Sequence, residues 1–209
     1  SVEEYRTIYS ALRSFHKQTP NEKSAATRET LRNYVLFLAN TGVRHGTEAL
    51  GLRWRNIEWY LRDGERYLAV SVDGKTNKRT AIARDSVENS LWRQAQLNPR
   101  IWAVDFDELI SAKLDELVFT TRLSATVTVH NLNRAFNALL DELDLKTGAD
   151  GRTRTLYSWR HFYATRELER GMTAHALGKQ MGTSTKMIDK HYSKYAVVIN
   201  AAQHSGRQR

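Results

Sequence analysis

Apolar residues recur at helical spacing along most of the chain and at strand spacing in one short stretch. Tyr5, Ile8, Tyr9, Leu12 and Phe15 lie three or four apart and predict a helix. Pro20 and Asn21 interrupt it. Leu31, Tyr34, Val35 and Leu38 share one face of a second predicted helix, about 27–40, which Thr41-Gly42 ends. The period then changes. Tyr67 to Val72 and Lys78 to Ala83 read as two strands joined by the turn DGKTN, hence a β-hairpin. Helical spacing returns over about 86–97, 105–117, 131–143, 156–170, 173–181 and 185–192, with Ser86 and Thr173 as N-caps and Gly171 as a C-cap. The pattern predicts an α+β fold, mainly helical, with a small antiparallel sheet. No repeat, low-complexity tract or internal linker is visible. The closing stretch AVVINAAQHSGRQR starts apolar and ends polar, and its last residues are expected to be loose.

Composition narrows the function classes. The chain has 209 residues, 41% hydrophobic and 26% charged, as a folded protein requires. It has no cysteine, which excludes disulfides, thiolate metal sites and cysteine nucleophiles. No apolar run is long enough to span a bilayer, and the charged N-terminus is no secretory signal. The histidines show no helical pairing with carboxylates, so no metal and no other cofactor is expected. The net charge of +9 is unevenly spread: residues 152–209 hold 11 Lys/Arg against 3 Asp/Glu, and residues 1–151 hold 21 against 20. A one-sided basic segment suits a polyanion, nucleic acid first among them; the bland alternative is a solvated helical surface.

Three segments hold candidate chemistry. In LYSWRHFYATRELERG, Tyr157 and Arg160 share a helix face, and an arginine among aromatics needs an anionic partner. In ANTGVRHGTEALGLRWRNIEW, Arg44 precedes a predicted helix start, which suits a phosphate; helical pairing of Arg44 with Glu48 is the plain alternative. In QMGTSTKMIDKHYSKY, Tyr192 stands among His191, Lys190 and Lys194, where a phenolate could be stabilised for attack.

Taken in order, these segments resemble the catalytic domain of tyrosine recombinases, the phage integrase family. TGVR…E followed by LRW resembles its first arginine box, DGKTNKRTAIA its lysine-bearing hairpin, YSWRHFYAT its H-x-x-R-H box, and MGTSTKMIDKHYSKY its closing box. The resemblance runs from about Glu3 to Tyr195. It implies an enzyme that cuts and rejoins double-stranded DNA through a 3′-phosphotyrosyl link, integrating or excising a mobile element. Arg44 and Arg160 would grip the scissile phosphate, Tyr192 would attack it, and Lys75 would protonate the leaving 5′-oxygen. Tyr157 would complete the catalytic set, with Glu48, Thr183 and His161 in supporting positions. Lys78, Arg79, Arg152, Arg154, Lys190 and Lys194 would face DNA, and Lys78 and Arg79 compete with Lys75 for the hairpin role.

The resemblance further implies a single catalytic domain over 1–209, cut from a larger recombinase without its N-terminal DNA clamp, with 196–209 a mobile tail. It implies a cytoplasmic, bacterial or phage-derived protein that assembles as a homo-tetramer on its sites. Three positions depart from the family pattern. Tyr157 stands for the usual histidine, Thr183 for a histidine or tryptophan, and Glu48 follows Arg44 by four residues instead of three. The alternatives are a DNA-binding module without activity and a type IB topoisomerase-like enzyme.

Overall fold

Helix α2 (Glu22–Thr41) is the spine of the computed structural model, which describes residues 1–74, 78–148 and 151–199, with side chains as far as Tyr192. Twelve of its twenty residues are buried, so it is wrapped on several sides instead of lying amphipathic on a surface. It starts five residues earlier than its apolar spacing predicts, because the Asn21 side chain accepts a hydrogen bond from the Ser24 N–H at 2.9 Å and caps it. It ends at Gly42, whose φ of 68° lies in the left-handed region.

Around the spine pack α1 (Val2–Leu12), α4 (Ser86–Gln96), α6 (Val129–Glu142) and α7 (Ser158–Glu169). A four-residue helix, α3 (Thr47–Leu50), follows the spine, and α5 (Phe106–Ser111) abuts the sheet. The main core gathers Tyr34, Phe37, Trp54, Phe119 and Phe136, all nearly without exposure. A second cluster joins α7 to the last two helices, α8 (Ala174–Met181) and α9 (Thr185–Ile199), through Tyr163, Leu177, Met181, Ile188 and Tyr192. Thr173 caps α8 as expected, accepting from the Ala176 N–H. Among the described residues no helix is long and apolar enough to cross a membrane.

The sheet has three antiparallel strands in the order β1 (Ile57–Arg62), β2 (Glu65–Asp73), β3 (Lys78–Ile82). The expected hairpin is β2–β3, with Val70 opposite Ala81. Strand β1 is an addition. It turns into β2 through Asp63-Gly64, both with positive φ (54° and 81°), as a tight hairpin needs. Its burial does not alternate, with Tyr60 and Leu61 both exposed, so periodicity does not reveal it.

The elements differ from the predicted pattern at three further places. The helix expected over 105–117 stops at Ser111, because residues 114–118 leave to pair with 52–55: the Arg55 N–H donates to the Leu114 carbonyl and the Val118 N–H to that of Leu52. Ser86 is the first residue of α4 and Asp85 its cap position. Helix α9 runs past Tyr192 to Ile199.

Gly42 is held by more than its dihedral angle. A Cβ there would meet the Tyr163 ring at 2.5 Å. Gly42→Ala is expected to cost about 2–4 kcal/mol, combining left-handed strain with a core clash. Gly64→Ala has similar strain but nothing within 4 Å, and should cost only about 1 kcal/mol. Urea denaturation of both variants checks this; equal losses would remove the Tyr163 contact as a cause.

Candidate active site

The chain reversals after α2 and after α8 bring the first and last candidate segments together. Gly42 and Gly182 are both left-handed, with φ of 68° and 65°, and each turns its backbone carbonyl region toward the same place. Arg160, one turn into α7, donates from Nη1 to the Gly42 carbonyl at 2.5 Å and from Nη2 to that of Met181 at 2.7 Å. Arg44 donates from Nη2 to the next carbonyl, Gly182, at 2.5 Å. Two arginines distant in sequence therefore bind consecutive carbonyls at the end of α8.

Glu48 anchors the cluster. Its carboxylate accepts the Arg44 backbone N–H at 2.9 Å and is paired with the Arg44 guanidinium. It also takes a two-pronged grip from Arg79 of β3, at 3.0 and 2.8 Å. Glu48 is 5% exposed. Burial alone would raise its pKa, but the Arg79 and Arg44 bonds prevail and hold it down to about 2. Arg79 also donates from Nε to the Gln180 carbonyl at 3.2 Å. The Gln180 side chain in turn bonds the N–H and carbonyl of Ile82, at 3.0 and 2.7 Å, tying α8 to the sheet edge.

Among the described residues the cluster holds three guanidinium groups against one carboxylate. Arg160 is 4% exposed and has no ion pair among the described residues; two carbonyls accept its hydrogen bonds, and Glu48 acts on it only as a charge without direct contact. Burial first, and Arg44 second, push its pKa down to about 10, which still leaves it charged at neutral pH. A guanidinium has N–H groups beyond the two engaged here. The side chain of Arg44 keeps 35% exposure, so the cluster opens to solvent on its side. A buried excess of positive charge of this kind is costly unless an anion completes it.

Beside this cluster lies Tyr192, 6% exposed, on α9. Its hydroxyl is 2.7 Å from Nδ1 of His161 on α7. Tyr157 stands at the start of α7, 44% exposed, its ring edge-on to His161 at 5.4 Å. Thr183 follows the α8 turn, its N–H donating to the Gly178 carbonyl. Arg44, Glu48, Tyr157, Arg160, His161, Thr183 and Tyr192 thus gather at the junction of α2, α7, α8 and α9.

Of the residues expected on a DNA face, Lys78, Arg152 and Lys190 are exposed. Arg79 is not: its side chain is 11% exposed and committed to Glu48. Arg154 is also turned inward, donating to the carbonyls of Leu145 and Thr147 at 2.6 Å each and pairing with Glu4. Both therefore serve the fold in this structure. Lys75 and the side chain of Lys194 lie outside the described residues. Among the described residues no group of three or more His, Asp or Glu side chains could hold a metal ion.

No family model and no curated protein matches the sequence. Solved structures do match in shape. The XerH site-specific recombinase bound to difH substrate shares 18% identity over 90% of this chain and 51% of its own, with a TM-score of 0.61. The XerA recombinase shares 18% identity over 96% of this chain and 64% of its own, at 0.59. A lambda integrase dimer bound to a COC′ core site shares 16% identity over 94% of this chain and 58% of its own, at 0.59. The fold is that of the tyrosine recombinase catalytic core. This chain spans about half to two thirds of the length of those recombinase chains.

In this version of the fold, sequence reasoning missed two things. It did not see that Arg79 clamps Glu48, because nothing in KTNKRTAIA distinguishes an inward arginine from its solvated neighbours. It also left His161 without a stated contact, although an H-x-x-R-H box read on a helix puts His161 beside the Tyr157–Arg160 face.

Glu48→Gln should cost about 3 kcal/mol at pH 7, since it leaves buried guanidinium groups uncompensated. The lowered pKa of Glu48 means its contribution is whole above the ordinary carboxylate value and is lost as pH falls toward about 2. The gap between wild type and Glu48→Gln in urea denaturation should therefore shrink on acidification from pH 5 to pH 2–3. A gap that stays constant over that range would contradict the ion-paired state of Glu48.

Proposed function

We propose that this chain is the catalytic domain of a site-specific DNA recombinase of the tyrosine family, acting by transesterification. The observation that carries this reading is Arg160, buried with no carboxylate partner among the described residues and bound beside Arg44 to consecutive carbonyls. The three guanidinium groups exceed Glu48 by two charges. A phosphodiester brings one negative charge, and its pentavalent transition state brings a second. The cluster is thus better matched to the transition state than to the ground state, which is what catalysis requires.

In this reading Arg44 and Arg160 bind the non-bridging oxygens of the scissile phosphate. Glu48 positions Arg44, and Arg79 positions Glu48. Tyr192 attacks phosphorus to give a 3′-phosphotyrosyl link and a free 5′-hydroxyl. Lys75 protonates the departing 5′-oxygen, and Tyr157, exposed at the mouth of the site, donates a hydrogen bond to the phosphate. Lys78, Arg152 and Lys190 contact the DNA backbone. The phosphotyrosine conserves the energy of the broken bond, so rejoining needs no nucleotide. The substrate is a mobile-element junction, recombined by a tetramer of the parent protein.

The test is covalent capture. The chain is incubated with a pool of nicked duplexes carrying a randomised core, and adducts are resolved on a denaturing gel and sequenced. Wild type should form an adduct, Tyr192→Phe should form none while still binding DNA, and Arg160→Ala should slow its formation by about 100-fold or more. On a duplex recovered in this way, Lys75→Ala should cleave slowly, and a sulfur at the bridging 5′ position should restore the rate, since a thiolate leaves without a proton. DNA binding without any adduct would make the chain a binding module instead.

A further inference from the structure

The contact between Tyr192 and His161 has no part in the transesterification scheme above. Tyr192 on α9 is 6% exposed as a residue, and Nδ1 of His161 on α7 lies 2.7 Å from its hydroxyl. The two residues come from different helices, so the contact is made by packing and not by local sequence. The neighbouring position that a family histidine would fill is Tyr157, whose phenol is a poor base near neutral pH. His161 counts as exposed as a residue, so a proton taken by its ring can pass to solvent.

We propose that His161 is the catalytic base of this chain, taking the phenolic proton of Tyr192 as its oxygen bonds to phosphorus. The inference rests on the transesterification reading above. In the forward step Nδ1 of neutral His161, in its Nε2–H tautomer, accepts the proton. The Tyr192 oxygen forms the new bond to phosphorus, the bond to the 5′-oxygen breaks, and that oxygen is protonated by Lys75. In the rejoining step the 5′-hydroxyl attacks, its proton returns to Lys75, and the imidazolium gives its own back to the departing Tyr192 oxygen. The books balance in both directions, with no further reactant.

The surroundings of His161 favour the neutral form. Facing it are His191 and Tyr192 from α9, Tyr157 and Arg160 from α7, and Arg152 from the segment before α7. No carboxylate is among these groups. Partial burial first, then His191, Arg160 and Arg152, hold its pKa below the ordinary histidine value. A base of this kind is ready at neutral pH and fails only on acidification.

The test uses a nicked duplex recovered by covalent capture, with adduct formation followed in single turnover from pH 4.5 to 8. Wild type should show an acid limb below the ordinary histidine range, the rate rising with pH as His161 loses its proton. His161→Asn keeps an amide near the Nδ1 position, so it can hold the Tyr192 hydroxyl without accepting its proton. It should bind DNA as wild type does, form adduct about 100-fold more slowly at neutral pH, and lose that acid limb. His161→Gln, which reaches past Nδ1, should be at least as slow. If His161→Asn retains the wild-type acid limb and rate, His161 is not the base. If wild type forms no adduct at any pH, the transesterification reading fails, and the inference with it.

Discussion

The grip of Arg44 and Arg79 on Glu48 is the interaction on which the rest of the site depends. A carboxylate as buried as Glu48 is tolerated only when its oxygens are fully bonded, and here they are bonded from two directions. The Arg44 prongs come from the turn after the spine helix, and the Arg79 prongs come from the sheet edge. Arg79 also reaches the Gln180 carbonyl on α8, so one guanidinium links the first arginine segment, the hairpin and the C-terminal helices. Arg160 then completes the charge excess from α7. Remove the carboxylate, and three like charges share a half-buried space with only carbonyls to meet them.

That arrangement also explains two glycines. Gly42 and Gly182 end helices in the left-handed region, and both sit against bulky partners, the Tyr163 ring and the Arg79 side chain. Their carbonyls serve as acceptors for Arg160 and Arg44. Helix termination, close packing and arginine orientation are therefore set by the same residues. The carbonyl bonds hold the guanidinium groups in fixed directions, which is the preorganisation that the proposed phosphate binding calls for.

Much of this was legible in the sequence, for physical reasons. The spine helix, the β2–β3 hairpin and helices α6 to α8 carry clear periods, and Gly42 and Thr173 mark two helix ends as read. What was hidden is what long-range pairing decides. Strand β1 has exposed Tyr60 and Leu61 where alternation would put one inside, and residues 114–118 abandon a helical pattern to pair with 52–55. In the candidate site, Arg44, Arg160 and Tyr192 stand out in the sequence because their neighbours resemble a known pattern. The inward turn of Arg79 and Arg154 was not, since a basic residue in a basic stretch looks the same whether it meets a carboxylate of the protein or solvent.

In the proposed function the unbalanced charge of Arg160 meets the charge of a phosphate, and a substrate without that charge tests this most directly. A duplex whose scissile linkage is a methylphosphonate replaces one non-bridging oxygen with a neutral methyl group. Arg160→Ala, nearly inactive on the phosphodiester, should recover Tyr192-dependent cleavage on the methylphosphonate. Equal inactivity of Arg160→Ala on both linkages, with DNA binding intact, would contradict it.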